Sequence, residues 1–172
     1  MALFWYLGLL SCQIVDTEVP DTGDPSEDPV LQDCVPSPTP QLEISQQGSY
    51  GLVDGDPLWF GLPPQGGVPY APFRLRIDGL NRADLGTSVW ITATDVETEE
   101  RLGDIELVHR FVCANVGEDE GQHVAGEIHL RFWDYRLKEL DGRTAEVVAK
   151  VEDPFGLSSV TRHTGPMVRM KE

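Results

Sequence analysis

The sequence predicts an all-β domain of two antiparallel sheets, and three observations carry that prediction. Apolar and polar residues alternate with period two in several separate stretches. The 172-residue chain has 17 Gly and 13 Pro, many of them in short turn-like clusters between those stretches. No long segment carries apolar residues at helical spacing. Period two with one apolar face is the pattern of a half-buried antiparallel strand, and Gly and Pro supply the backbone conformations that turns require.

In chain order, Leu42–Ser45 and Pro57–Phe60 are the first short strand candidates, separated by the turn Asp54-Gly55-Asp56-Pro57. After Pro63-Pro64-Gln65-Gly66-Gly67, the residues Phe73, Leu75 and Ile77 alternate with Arg74, Arg76 and Asp78. Thr87–Val96 and Ile105–Cys113 follow, and Trp90 on the first of them is a candidate filler of the inter-sheet core. Beyond the turn Gly117–Gly121, the set Val124, Gly126, Ile128, Leu130 and Phe132 alternates with Glu127, His129 and Arg131. Asp141-Gly142 precedes a strand with Ala145, Val147, Ala149 and Val151 on one face, and Asp153-Pro154-Phe155-Gly156 turns the chain into Ser158–Met170. About eight strands at this spacing suggest a two-sheet sandwich.

Charge divides the chain. Of its 29 acidic and 13 basic residues, residues 13–40 hold seven acids, six prolines and no Lys or Arg. Residues 41–172 hold 22 acids and all 13 bases, a net of −9. The composition of 13–40 predicts a disordered acidic linker, and 41–172 is long enough to fold as one domain. The pI of about 4.4 leaves no continuous basic surface, so nucleic acid is not an expected partner.

Ala2 to Leu10 carries no charge. Nine helical residues span about 14 Å, less than half of a ~30 Å hydrocarbon core, but they match the apolar centre of an export signal. The run continues into Leu9-Leu10-Ser11-Cys12, which resembles the lipobox of bacterial lipoproteins, although no Lys or Arg precedes it. That resemblance implies a signal peptide at 1–12, diacylglycerol on the sulfur of Cys12, and anchoring in a membrane by acyl chains. Gln13 after the cysteine, where Asp would imply inner-membrane retention, points to the outer membrane or cell surface. The alternative is an N-terminal strand or helix ending in a buried Cys12, with only acidic, proline-rich chain after it.

The hairpin Asp141-Gly142-Arg143, Thr144–Glu152, Asp153-Pro154-Phe155-Gly156 and Ser158–His163 resembles the last two strands of immunoglobulin-like bacterial domains. Upstream, Leu42-Glu43-Ile44, Val53-Asp54-Gly55-Asp56-Pro57, Pro64-Gln65-Gly66-Gly67 and Leu75-Arg76-Ile77-Asp78-Gly79-Leu80 are similar to uncharacterised exported bacterial lipoproteins. These motifs imply an immunoglobulin-like sandwich of about seven to eight strands, with no activity to carry over. The Trp and paired-Cys spacing of antibody domains is not matched.

With Cys12 lipidated, Cys34 and Cys113 remain, and an exported compartment permits a disulfide between them. The bridge would shorten the free tether to Gln13–Asp33, up to ~65 Å of extended chain. The alternative is a buried Cys113 and an exposed thiol at Cys34.

The sequence contains no GxSxG, HExxH, CxxC or phosphate loop, so neither catalysis nor a cofactor is expected. His109, in register with Leu107, Phe111 and Cys113, reads more readily as a packed histidine than as a ligand. Asp54 with Asp56, Glu97–Glu100 and Glu118-Asp119-Glu120 offer acids to calcium but no loop that collects enough oxygens. Trp59 and Phe60 form a candidate binding surface for a glycan or protein, against the alternative of a packed strand; Trp133 and Tyr135 pose the same choice. Arg74 and Arg76 are expected to pair with acids. Two functions follow: a lipid-tethered, non-catalytic module that binds a protein or envelope glycan, or a carbohydrate-active or hydrolytic accessory protein of the cell surface.

Overall fold

A computed structural model describes residues 34–46, 51–81, 85–114 and 119–171. Cys12, the signal at 1–12 and most of the linker, 13–33, lie outside them. The described chain is all-β apart from one helical turn. Its strands are β1 (Leu42–Ser45), β2 (Leu58–Phe60), β3 (Tyr70–Ile77), β4 (Thr87–Asp95), β5 (Arg101–His109), β6 (Val112–Cys113), β7 (His123–Val124), β8 (Ile128–Arg131), β9 (Thr144–Glu152) and β10 (Ser158–Arg169), with α1 at Leu137–Leu140.

One sheet runs β1-β3-β7-β6, with β8 also on β3; the other runs β2-β10-β9-β4-β5. All pairs are antiparallel except β2 on β10. The order is that of an immunoglobulin-like sandwich: β1, β3, β7/β8 and β6 hold the A, B, E and D positions, and β9 and β10 are the final hairpin. Gln46 completes the short β2 by side-chain mimicry of a strand, accepting from the Trp59 amide at 2.8 Å and donating to its carbonyl at 3.0 Å.

The alternations read from sequence hold where strands are continuous. Ala71, Phe73, Leu75 and Ile77 of β3, and Ala145, Val147, Ala149 and Val151 of β9, all face the core. Two long candidates are broken in the fold, and each break has a cause. Ile105–Cys113 keeps its alternation, but the chain changes sheets after His109, with the ring of Phe111 buried at the crossing. In Val124–Phe132, the Ala125 amide bonds Leu75 and Ile128 pairs with Phe73, so Gly126 and Glu127 together oppose Arg74. That bulge reverses the parity: His123 and Ala125 are buried where Val124 and Gly126 were expected, and the reading becomes right again at Ile128, Leu130 and Phe132.

Trp90 is also corrected. It lies on the face of β4 opposite Val89, Ile91 and Ala93, half-buried beneath the Lys150 ammonium, which sits 4.7 Å from its ring centroid. Phe60, Phe73, Phe111 and Phe132 fill the inter-sheet space instead, none more than 1 % exposed. Bulky aromatics in such a core contribute most of its apolar burial.

Packed residues begin before the boundary expected at 40/41. Cys34 is bonded to Cys113, with Cα atoms 5.7 Å apart, inside the range that disulfide geometry requires. Pro36 bridges Gly79, the Ser37 amide donates to the Gly79 carbonyl at 2.9 Å, and the Ser159 hydroxyl donates to the Pro40 carbonyl at 2.9 Å. Gly79, at φ 75°, has no room for a Cβ beside Ser37.

The acids of the turns are structural. Asp54 accepts from the Thr164 amide at 2.8 Å and Asp56 from the Val53 amide at 3.0 Å. This turn rests on β10 at Gly165, where a Cβ would overlap the Asp56 carbonyl oxygen. The buried Asp95 caps the β4–β5 turn: its Oδ1 accepts from the Glu97 and Thr98 amides, both at 2.9 Å, and Oδ2 meets Arg143 at 3.2 Å. The Thr98 amide foremost, then the Glu97 amide, the Thr98 hydroxyl and Arg143, hold its carboxyl below the ordinary value against the opposing effect of burial. A depressed folded-state pKa stabilises above the unfolded value of about 3.9 and is lost as pH falls through the folded value. The stability difference between wild type and Asp95→Asn is therefore expected to be constant from neutral pH to about pH 5 and to shrink below about pH 4. Urea midpoints across that range check it; a difference that grows on acidification would contradict the cap.

Candidate functional site

Two adjoining concavities lie on the side of the sandwich where β5 and β8 are both last in their sheets. Phe132 donates its amide to the Pro69 carbonyl at 2.9 Å, which sets the phase of the β8–β3 ladder. Leu130 and Ile128 then bond to β3, and His129 and Arg131 turn their backbone groups toward the open side. Their side chains stand on the solvent face with Trp133, because positions two apart share a face.

Cross-strand register brings Tyr70 opposite Arg131 and Pro72 opposite His129. The Tyr70 and His129 rings lie 4.5 Å apart at 41°, and the Arg131 guanidinium sits 5.3 Å from the centroid of the Trp133 ring. Trp133 is 63 % exposed. His129 Nε2 and Glu127 Oε1 are 2.6 Å apart, both side chains 45 % exposed. Two adjoining hollows, of about 420 and 510 Å³, share His129, Arg131 and Trp133. The first runs between β8 and Ile105, Leu107 and His109 of β5, and the second runs beneath the Pro63–Gly66 turn.

This arrangement suits binding. Trp, Tyr and Arg are the side chains that concentrate interface energy: Trp and Tyr offer large area with few rotors, and Arg adds a planar fork of donors that stacks on aromatic rings. Carboxylates at the site face water: Asp104 is directed to Arg101 at 3.9 Å, and Glu127 to His129. Neither hollow is lined by Ser, Thr or Cys.

Of the residues singled out in the sequence, Phe60 is fully buried, edge-on to Phe132 with centroids 6.4 Å apart, so it presents no surface to a partner. Trp59 is half-buried on the outer side of β2 and lies apart from the hollows. Trp133, left open in the sequence, is at their junction. Tyr135 stacks under Arg143, 5.3 Å from its ring centroid. Arg76 pairs with Glu43 and with Asp119, the latter at 3.1 Å. His109 packs edge-on to Phe111 at 5.8 Å, and His163 is fully buried with Nε2 3.1 Å from the Asp56 carbonyl. Among the described residues, no cluster of three His, Cys, Asp or Glu side chains is arranged to hold a metal ion. No helix of the described residues is long and apolar enough to cross a membrane.

Tyr70, and the part that the 63–68 turn plays in the site, escaped the sequence reading because they join it only through register, some 60 positions before Arg131. Compared with known proteins, the chain matches no family model and no curated protein.

Proposed function

We propose that this chain is a lipid-anchored protein of the bacterial cell envelope, at the outer membrane or cell surface, whose immunoglobulin-like domain binds an envelope partner without catalysis. The observation that carries the binding half is the exposed Trp133–Arg131 pair beside the Tyr70–His129 stack, at the junction of two hollows. Large exposed aromatic surface is uncommon on a domain that touches nothing. The anchoring half rests on Leu9-Leu10-Ser11-Cys12 and on the acidic, proline-rich stretch after it, which suits a tether and not a packed element. A carbohydrate-active accessory protein is the second reading, and the exposed Trp133 ring favours it; hydrolysis would further need carboxyl groups converging on one cleft.

Alkyne-palmitate fed to expressing cells is expected to label the wild-type chain and not Cys12→Ala. A photo-crosslinking residue at Gln65, on the rim of the second hollow, is expected to join an envelope protein or glycan. Recovery of an unlabelled, freely diffusing product would refute the anchor. Hydrolysis of envelope glycans by the purified domain would replace the binding reading with the enzymatic one.

A further inference from the structure

The outer edge of β5 has the form of a strand-acceptor site. Val96 donates to the Thr144 carbonyl at 2.9 Å and Asp95 to the Glu100 carbonyl at 2.8 Å, so even-numbered residues of β4 bond β9 and odd-numbered ones bond β5. On β5 the partners of Ala93, Ile91, Val89 and Thr87 are Gly103, Ile105, Leu107 and His109. Because antiparallel backbone groups alternate in direction, Asp104, Glu106 and Val108 point their N–H and C=O groups away from β4. Among the described residues, no strand lies beyond β5 and no backbone group pairs with these three.

An unpaired row of this kind is a template for another strand. The hollow of about 420 Å³ lies directly beside it, with Ile105, Leu107 and His109 on one side and Glu127, His129, Arg131 and Trp133 on the other. It can take alternate side chains of whatever pairs there. The solvent face of the edge carries Asp104, Glu106 and Val108, with Arg101 at the start of the strand and Arg110 just beyond its end.

We propose that β5 accepts an extended polypeptide segment of a partner protein as a sixth strand, basic on its outer face and apolar on the face turned into the hollow. This rests on the reading of the domain as a binding module and names the partner's chemistry. Backbone pairing supplies affinity and the hollow supplies selectivity, as in other strand-addition interfaces. Charge selects the occupant. A second copy of β5 centred on Glu106 would set Glu106 against its own counterpart, and like charges directly opposite destabilise; the chain's net charge of −16 adds repulsion. A glycan leaves the alternating donors and acceptors of the edge unmatched.

The test uses the disulfide-bonded domain, residues 34–172, within the full mature chain, panned against a displayed library of random peptides. Winners are expected to alternate Lys or Arg with β-branched residues, and to slow hydrogen exchange at the Asp104, Glu106 and Val108 amides. Val108→Pro removes one outward N–H while the β4 ladder, which uses Leu107 and His109, stays intact; edge strands tolerate proline there. It is expected to weaken binding by about tenfold, and Val108→Thr by much less. Should Val108→Pro fail to fold, Glu106→Lys serves in its place and is expected to reject the basic winners. No enrichment over the uncoated support, protection of other amides, or a Val108→Pro domain that binds like wild type overturns the strand-acceptor proposal. An envelope cross-link from Gln65 under those outcomes would leave the binding reading standing.

Discussion

Replacing Cys34 and Cys113 together by serine is expected to lower the unfolding free energy by about 2–4 kcal/mol. The bridge spans 79 positions of sequence, and the loop-entropy relation gives about 4.5 kcal/mol for a loop of that length, an upper value because unfolded chains keep some structure. The loss has a local signature as well. Ser37 and Gln41 donate their amides to the Gly79 carbonyl and the Asp78 carboxylate, at 2.9 and 2.5 Å. Without the bridge the segment ahead of β1 is held by those bonds, by the Pro36–Gly79 bridge and by Ser159. Its amides should then exchange before those of β9. Guanidinium midpoints of oxidised, reduced and doubly substituted protein measure the global effect. Equal midpoints would show that the bridge adds nothing to the fold.

Phe132→Ala should be more damaging still, by about 3–5 kcal/mol, the usual range for a phenylalanine removed from a close-packed core. Phe132 leaves β8 as the last inward residue of its sheet and meets Phe60 of the other at 85° between ring planes. It also approaches Gly103, where any side chain would meet the Arg131 carbonyl oxygen at 2.6 Å. Three strands from two sheets therefore meet at one ring. Trp133→Ala, one residue later and on the solvent side, should change stability by no more than about 0.5 kcal/mol. Urea denaturation of the two variants side by side reads the orientation of this segment. A larger loss at Trp133 than at Phe132 would reverse the assignment of core and surface.

The pair shows what was legible in the chain and what was not. Period two identified β3, β9 and the inward face of β8, because burial of one sheet face writes itself directly into residue order. Trp90, expected in the core, obeys the same rule by facing outward, since Val89, Ile91 and Ala93 occupy the inward positions. The bulge at Gly126 and Glu127 left no mark that alternation could reveal, because Val124 and Gly126 satisfy an apolar pattern while the chain slips by one. The disulfide could be proposed because only two cysteines lie beyond Cys12. The hollows could not, because they are made by register between β3 and β8, by a turn far upstream, and by the edge of β5. Those are relations between segments, and no single segment carries them.

The Cys34–Cys113 bond also decides how the domain answers a pull. Tension arriving along the chain ahead of Cys34 reaches β6 through a covalent link, so the loop it closes, with a sequence separation of 79, cannot be drawn out however the strands fail. At about 3.4 Å per residue, some 270 Å of contour length stays locked while only the chain beyond Cys113 can unspool. β1, the first strand after the bond and the one that a tug from that side would otherwise shear off β3, is thereby shielded from the load.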